Sequence, residues 1–440
     1  ENKPTMNKLL NDNRRCNVKG LFSVSPMLFF ILLFIFIFLL TGNIYKISLS
    51  VVFTISSVYA LYTLKNRSIT ERIKVFSRGA GQENLMLMLW IFVLAGAFAQ
   101  TAKDIGAIDA VVRVALHFLP SHLILAGLFV TACFVSLSIG TSVGTVAALV
   151  PIATGIATST GQPTAMLVAA VVGGAFFGDN LSFISDTTIA STKTQGCELK
   201  DKFKANFLIV LPAAMITVII YIFTNSQSQY STEITAIDYI KMLPYIIILV
   251  SAICGMNVFV VLAVGNLLSG ITGMALGVCN MEDWFVSAGN GIMSMGELII
   301  ISMLAGGMLE VIRENGGIEY IINKLSSHIH SKRGGELIIG AMVGITNLCT
   351  ANNTIAILSV GKIAKSISTR FGINPCKAAS ILDTFSCVVQ GLIPYGAQFL
   401  IASGLSHVQP TNILPYIYYP VIVGITAIIG IIIRYPKKYS

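Results

Sequence analysis

Long apolar runs separated by short polar segments set the pattern of this chain. Residues 28–40 (LFFILLFIFIFLL) carry no polar side chain, and residues 246–264 contain one Asn and no charge. Because about 20 consecutive apolar residues cross a bilayer as one helix, such runs predict membrane spans. The predicted spans are 25–42, 45–64, 85–102, 164–178 with a continuation to about 192, 205–225, 240–260, 261–278, 294–311, 377–391 with a continuation, and 412–433, and longer paired segments cover 121–158 and 336–366.

The composition strengthens this interpretation. The chain is 55% hydrophobic and only 11% charged, whereas a soluble domain carries about 25% charged residues. We therefore predict an all-α polytopic membrane protein. No A-x-A-like cleavage site follows the first span, so we expect that span to remain as a helix and not to be removed as a signal peptide.

The net charge of +9 is explained by membrane topology. With the N-terminus placed inside, 25 of the 29 Lys and Arg fall on the inner side of the predicted spans. The outer side holds Lys46, Lys103, Arg113 and Lys241. Cytoplasmic loops carry such an excess of basic residues, so both termini are predicted to be cytoplasmic in a multi-pass membrane protein. Nucleic acid need not be invoked as a partner.

An internal repeat divides the chain. Residues 94–112 (LAGAFAQTAKDIGAIDAVV) match residues 304–322 (LAGGMLEVIRENGGIEYII) at an offset of 210, and shorter matches follow at 209 and 212. The charge distribution gives the two copies opposite orientations, and inverted repeats are typical of secondary transporters. The predicted organisation is a basic tail (1–24), two helices (25–64), a first repeat (65–225), a connecting loop and helix pair (226–278), and a second, inverted repeat (279–440).

Each repeat contains a point where a membrane helix should break. Residues 178–185 (GDNLSFIS) hold Gly, Asp, Asn and Ser, which weaken helix, and residues 390–397 (QGLIPYGA), aligned with them at an offset of 212, hold two Gly and a Pro. Irregular backbone at membrane depth is tolerated only inside the protein or along a wet cavity. The paired segments have polar centres at 138–145 and 347–354, which suit re-entrant hairpins, although two full crossings fit the charges equally well.

Few acidic residues are predicted to lie within the membrane. They are Asp179, Asp186, Glu297 and Asp383, while Glu310 and Glu336 fall near span ends. A buried charge at the bilayer centre costs about 3 kcal/mol or more, so such acids are functional candidates. We expect no Lys or Arg at their depth, which leaves Na⁺ or a proton as their partner. Glu297 is expected to be bonded within the bundle or near the outer surface.

The spacing of Asp179 and Asp186 limits what they can share. Seven residues of unbroken helix place them about 10 Å apart along the axis, too far for one Na⁺. They can share an ion only if the backbone between them unwinds, and Asp186 could equally be the N-cap of a restarted helix. Asp179, Asp186 and Asp383 are therefore the candidate Na⁺ ligands.

Neutral oxygen atoms could complete an ion or substrate site. Each Ser or Thr among them is individually more often a helix-packing residue. The candidates are Thr141, Ser142, Thr145, Asn180, Ser182, Ser185, Asn352, Asn353 and Thr354. The eight Cys and five His show no metal-ligand spacing, so we expect neither a disulfide framework nor a metal site, and no cofactor.

Two of these segments resemble a known family. The runs GDNLSFISDTT (178–188) and GTSVGTVAALVPIA (140–153) are similar to the NhaC-type Na⁺/H⁺ antiporter family of the ion transporter superfamily, over about residues 70–433. The resemblance implies an inverted-repeat fold with hairpins and broken helices, and transport coupled to Na⁺ or H⁺. Phe183, Leu382 and Tyr395 depart from the family pattern, which has Pro, Glu and Trp at these positions.

The sequence thus favours a Na⁺/H⁺ antiporter that works by alternating access, with Na⁺, H⁺ and the lipid bilayer as partners and with homodimer formation left open. The alternative is a Na⁺- or H⁺-coupled symporter or exchanger of an amino acid or carboxylate, for which Asn352, Asn353 and Gln390 offer neutral polar groups. A channel is disfavoured by the inverted repeat. An enzyme is disfavoured because no HExxH sequence, metal cluster or nucleophile–base pair is evident.

Overall fold

The computed structural model describes residues 6–41, 48–65, 67–118, 120–182, 185–224, 236–254, 256–326 and 331–439. These residues form helices and their connections, with no β-strand among them. Six of the described helical segments are long and apolar enough to cross a membrane, and a bent pair at Pro410–Tyr416 and Tyr418–Ile432 would make a seventh. The all-α membrane fold predicted from the sequence is confirmed.

Two helices precede the first repeat. They are α1 (Met6–Thr41) and α2 (Leu49–Thr63). Helix α1 begins at Met6, well before the predicted span, so most of the segment 1–24 is helical. The first repeat then contains α3 (Ile69–Ala80), α4 (Glu83–Asp104), α5 (Ala107–Phe118), α6 (Ile124–Ile139), α7 (Ser142–Thr160), α8 (Thr164–Leu181), α9 (Asp186–Gln195) and α10 (Leu199–Thr224).

Three described helices lie in the predicted connection, where the sequence predicts a helix pair, and the remaining described helices lie in the predicted second repeat. The connecting helices are α11 (Ala236–Lys241), α12 (Leu243–Ile253) and α13 (Val258–Ala275). The second repeat contains α14 (Met281–Ser294), α15 (Gly296–Glu314), α16 (Gly317–Ser326), α17 (Lys332–Thr350), α18 (Asn353–Arg370), α19 (Pro375–Gln390), α20 (Ala397–Ser406), α21 (Pro410–Ile413) and α22 (Tyr418–Ile432).

The backbone shows the repeat directly. Left-handed residues end helices at matching places in the two halves, and these residues are rare outside Gly. The pairs are Gly106 with Gly316, Gly140 with Ala351, Gly161 with Gly372, and Gly196 with His407. The first pair is separated by 210 residues and the other three by 211. The offset around the broken helices is therefore 211, and the predicted alignment of 178–185 with 390–397 at 212 was wrong by one residue.

The two repeats also exchange equivalent contacts. Helix α3 packs on α15, and α14 packs on α4. In the first contact a Cβ on Gly79 would meet the carbonyl oxygen of Gly306, and in the second a Cβ on Gly96 would meet that of Gly291. Gly96 and Gly306 are equivalent at the offset of 210, and their partners Gly291 and Gly79 are 212 residues apart, so the two crossings correspond to within two residues. This packing agrees with the predicted inverted repeats, and its close approaches are typical of small residues at membrane helix crossings.

The predicted breaks and hairpins are both present. Helix α8 ends at Leu181 before α9, and α19 ends at Gln390 before α20. Phe183 and Ile184, within the first break, lie outside the described residues. Helices α6 and α7 turn at Gly140 and Thr141, and α17 and α18 turn at Ala351 and Asn352. Both turns lie against the breaks, which favours re-entrant hairpins.

One expectation about cysteine was wrong. Cys197 and Cys376 form a disulfide, with Cα atoms 5.3 Å apart. Packing of α9 on α19 brings the α9–α10 connection to the first turn of α19. The two residues are 179 positions apart in the sequence, so their spacing carries no signal that they meet.

The acids near span ends form ion pairs. Glu310 is buried and lies 3.7 Å from Arg313 and 3.9 Å from Arg78. Glu336 lies 3.2 Å from Lys377, and both side chains are buried. Glu297 is exposed and accepts a hydrogen bond from Ser50 at 3.0 Å.

Candidate functional site

A cavity of ≈ 360 Å³ lies where the hairpin turns meet the broken helices. The apolar part of its wall includes Leu87, Met88 and Ile91 of α4 and Val258 and Phe259 of α13. Its polar lining comes from both hairpins, both breaks and the turn before α13. The polar residues are Thr141, Ser142, Asp179, Asp186, Thr187, Asn257, Asn352, Asn353, Thr354, Gln390 and Gln398.

Asp179 is the buried carboxylate of this cavity. It lies in the last turn of α8 and is 5% exposed. The backbone N–H of Ser142 donates to its Oδ1 at 3.0 Å, and the Ser142 hydroxyl donates to its Oδ2 at 2.5 Å. Ser142 is the first residue of α7, so the carboxylate receives both a hydrogen bond and the positive end of a helix dipole. The first hairpin therefore holds Asp179 in an orientation that suits the ionised form.

The helix break frees a backbone carbonyl. The carbonyl oxygen of Asp179 accepts hydrogen bonds from Ser185 at 2.9 Å and Thr187 at 3.1 Å. The Ser185 hydroxyl also accepts from the backbone N–H of Thr188, which makes Ser185 the N-cap of α9. Asp186 is then not the cap. It is the first residue of α9, and it is exposed within the cavity.

A chain of amides links Asp179 to the second repeat. The Gln398 Nε2 donates to the Ser142 hydroxyl oxygen at 2.8 Å. The Gln390 Nε2 donates to Gln398 Oε1 at 3.0 Å and to the carbonyl oxygen of Ala351 at 2.9 Å. Gln398 was absent from the sequence-based candidates. At the corrected offset of 211 it is equivalent to Thr187, another residue of the cavity wall that the sequence-based candidates omit.

The cavity is asymmetric in chemistry although it is built from two repeats. At the same offset Gln390 occupies the position of Asp179, and Asn353 occupies that of Ser142. Equivalent packing bonds support this register: Ser136 donates to the Ala175 carbonyl, and Asn347 donates to that of Ser386. One half of the cavity therefore presents a carboxylate and a hydroxyl, and the other half presents two neutral amides.

Asp383 has a different environment from the one expected. It is fully buried in α19, does not line the cavity, and lies 2.5 Å from the ammonium group of Lys202. Lys202, in the first turn of α10, is 1% exposed. The expectation that no basic residue reaches the depth of the acids was wrong, because Lys202 follows a loop rich in Lys and was counted with it. Asn206 also donates to Asp383, at 3.2 Å.

Three further candidates serve helix packing. Ser182 donates to the carbonyl oxygen of Leu137 at 3.0 Å, and Thr145 donates to that of Thr141 at 3.1 Å. The Asn180 amide donates to Tyr419 and to its own helix. None of the three lines the cavity. By contrast, Thr141, Ser142, Asp179, Asp186, Asn352, Asn353 and Thr354 do line it.

Comparison with known proteins gives matches along most of the chain. A model of the Na⁺/H⁺ antiporter family matches residues 16–226 and 228–433. The Na⁺/H⁺ antiporter NhaC of Bacillus subtilis is 25% identical over 398 residues, which cover 81% of this chain and 85% of that protein. An uncharacterized Na⁺/H⁺ antiporter of Haemophilus influenzae is 23% identical over 371 residues, covering 75% and 79% of the two chains.

A more distant relative is named as a transporter of organic acids. The malate-2H⁺/Na⁺-lactate antiporter of Bacillus subtilis is 18% identical over 385 residues, covering 80% of this chain and 82% of that protein. The family match spans both repeats, the hairpins and the breaks that form the cavity, and it confirms the resemblance drawn from residues 140–153 and 178–188. The chain belongs to the Na⁺/H⁺ antiporter family.

Proposed function

We propose that this protein exchanges Na⁺ for H⁺ and that Asp179 is the carboxylate that carries either ion. The observation that supports this most is the position of Asp179: it is buried, it faces the cavity, and no Lys or Arg of the described residues forms an ion pair with it. A buried carboxylate without such a partner needs a cation or a proton.

The atoms around Asp179 suit a small hard cation. Carboxylate, hydroxyl and carbonyl oxygens are the ligands that such ions prefer. Asp179 and Ser142 supply the first two, and Thr141, Asn352 and Asn353 line the same cavity. Asp186 is exposed at this cavity, where its charge would attract cations toward the site.

Competition for one carboxylate couples the two fluxes. When ionised, Asp179 binds Na⁺; when protonated, it does not. If the cavity opens to the other side only when Na⁺ or H⁺ is bound, the transporter exchanges one ion for the other without a second site. Inverted repeats with broken helices provide the alternating access this requires.

The distribution of basic residues suggests which side the cavity faces. Its walls include the first half of α4 and the start of α9, which lie toward the basic, cytoplasmic side of the predicted topology. A second cavity of ≈ 240 Å³, lined in part by Lys103, Asp109 and Ser159, lies toward the other side. We interpret the conformation as inward-facing, in a bacterial inner-membrane protein with both termini cytoplasmic.

A second candidate function is exchange of a small organic acid or amino acid. The cavity of ≈ 360 Å³ is large for one ion and falls in the range of small-molecule sites. Its amide side, formed by Asn352, Asn353, Gln390 and Gln398, could bind a carboxylate or a hydroxyl group. The malate-2H⁺/Na⁺-lactate antiporter among the relatives makes this specific enough to test.

The decisive experiment uses proteoliposomes with an internal pH dye. Addition of Na⁺ should dissipate an imposed proton gradient. Asp179→Asn should reduce this to the background of empty liposomes while the protein still folds, because Asn has nearly the same volume and its Oδ1 can still accept the hydrogen bond from the Ser142 N–H. If neither Na⁺, Li⁺ nor K⁺ moves protons, the Na⁺/H⁺ proposal fails. Proton movement that requires added malate or lactate would favour the second candidate.

A further inference from the structure

Three oxygen atoms surround the ammonium group of Lys202. The Nζ lies 2.5 Å from Asp383 Oδ2, 2.7 Å from the hydroxyl oxygen of Thr188, and 2.9 Å from the carbonyl oxygen of Asn180. They come from three helices: α19, α9 and the last turn of α8. Since Lys202 is 1% exposed and Asp383 is fully buried, the group is sealed from solvent.

The oxygen set is one that would suit a cation from solution. A carboxylate, a hydroxyl and a carbonyl released by a helix break are hard ligands for a monovalent ion. The last carbonyls of a helix have no partner within it, and that of Asn180 is satisfied by Lys202 and by the Asn206 amide at 2.7 Å. The Asn206 oxygen in turn accepts from Ser380 and Thr384, which fixes the amide orientation. We call the three oxygens of Asp383, Thr188 and Asn180 the second oxygen cage, the first being the oxygens around the Asp179 carboxylate.

We infer that the Lys202 ammonium is a resident cation in the second oxygen cage, and that it keeps Asp383 from binding a transported ion. The inference rests on the proposed function, because it concerns how many Na⁺ ions the exchanger carries. Lys202 is attached to α10 and cannot leave, so the cage stays filled and only Asp179 exchanges its partner. Lys202 is thus a residue that sets ion stoichiometry without touching the ion.

The energetics and the position of the Lys202–Asp383 ion pair argue against a purely structural role. A buried ion pair is often no more stabilising than apolar packing, so stability alone does not explain it. The cage also joins the first break to α19, and α19 ends at Gln390, which faces the cavity. The cage therefore lies next to the helices that form the wall of the cavity.

The test counts Na⁺ ions bound to the purified full-length protein by equilibrium dialysis with ²²Na⁺, at several pH values from neutral to alkaline. Lys202→Ala vacates the cage and should bind one more Na⁺ per chain than the wild type at alkaline pH. Lys202→Arg keeps a resident cation and should match the wild type. Lys202→Ala/Asp383→Asn removes both charges and should also match the wild type.

A role confined to folding would not add a bound ion. If Lys202→Ala is folded and binds no additional Na⁺ at any pH, the inference is overturned. If that variant does not fold, Asp383→Asn decides: the ammonium still fills the cage, so the Na⁺ count should equal that of the wild type, and a lower count would place Asp383 in the transported-ion site and overturn the inference. The proposed function is judged separately, from proton movement by the wild type.

Discussion

At the scale of single residues, Ser142 is the closest partner of the proposed ion carrier. Its hydroxyl donates to Asp179 and accepts from Gln398, and its N–H donates to the same carboxylate. Ser142→Ala removes the hydroxyl and leaves the N–H. A hydrogen bond to a charged group contributes about 1.5–3 kcal/mol. We therefore expect the apparent Na⁺ affinity in proteoliposomes to fall by about 10- to 100-fold.

Thr145 provides the matched control for this substitution. It lies one turn further along α7, is buried, and donates only to the carbonyl oxygen of Thr141. Thr145→Val should leave the Na⁺ dependence close to that of the wild type. If both variants behaved alike, the effect at Ser142 would reflect the packing of α7 and not its contact with Asp179.

Asp186 should contribute in a weaker, salt-dependent way. It is exposed at the cavity, where a charge acts through screened solvent. Asp186→Asn should retain exchange and raise the Na⁺ concentration for half-maximal rate by about 2- to 5-fold, in line with the ~1 kcal/mol of exposed charge interactions. The increase should shrink in high concentrations of choline chloride. Complete loss of exchange in this variant would mean that Asp186 binds the ion directly.

The sequence indicated Asp179 and Ser142 because polar residues in an apolar run are conspicuous. It did not indicate Lys202, because a lysine at the end of a basic loop looks like part of that loop. Packing of α10 on α19 and the burial of Lys202 bring the ammonium group to Asp383. The partners of a charge depend on tertiary packing, which a hydropathy pattern does not contain.

At the scale of helices, close crossings depend on glycine. Gly291 of α14 would place a Cβ against the backbone of Gly96 and Ala97, whereas a Cβ on Gly289 of the same helix meets nothing within 4 Å. Gly291→Ala should lower the thermal midpoint of the purified protein, because the α4–α14 crossing must open. Gly289→Ala should leave it unchanged or raise stability by about 0.4–1 kcal/mol, since Ala restricts the unfolded chain.

Fluorescence-detected size-exclusion chromatography after heating measures both variants. Equal midpoints for Gly291→Ala and Gly289→Ala would contradict the tight crossing. The symmetric position, Gly79 against Gly306, allows the comparison to be repeated in the other half. A similar loss there would show that both crossings depend on close backbone contact.

Helix type and the two breaks were predictable from the pattern, but several boundaries were not. Gly and Pro in the second break, and Gly with Asn and Ser in the first, mark where backbone bonds fail. Helix α1 extends to Met6 through a polar stretch, which the span criterion leaves out because it measures apolarity only. Helix α12 covers Leu243–Ile253 and is shorter than its predicted span, because a turn at Met256 and Asn257 interrupts the apolar run to form part of the cavity wall.

At the scale of the whole molecule, the two repeats have equivalent backbone features but different side chains in the cavity. Four pairs of left-handed residues hold the register, while Asp179 and Gln390 occupy equivalent positions in the cavity wall and differ in chemistry. Ser142 and Asn353, also equivalent, differ likewise. The one-residue error in the sequence alignment hid this relation, because it placed Asp179 opposite Gly391. An exchanger of identical halves would hold two equivalent carboxylates; here the carboxylates that line the cavity, Asp179 and Asp186, both lie in the first half.

Two cavities, one lined by the first half of α4 and the other by its second half, make the direction of access testable. Thr354 lines the cavity that contains Asp179, and Ser159 lines the ≈ 240 Å³ cavity. In a chain freed of its native cysteines, Thr354→Cys should react with a membrane-impermeant maleimide in inside-out vesicles and not in right-side-out cells. Ser159→Cys should show the reverse.

An inward-facing cavity also predicts that conditions favouring the outward-facing state, such as an imposed proton gradient, slow the labelling of Thr354→Cys. If Thr354→Cys were labelled only from the outside, the assigned orientation would be wrong, because the cavity would then open on the face of the membrane opposite to the basic loops.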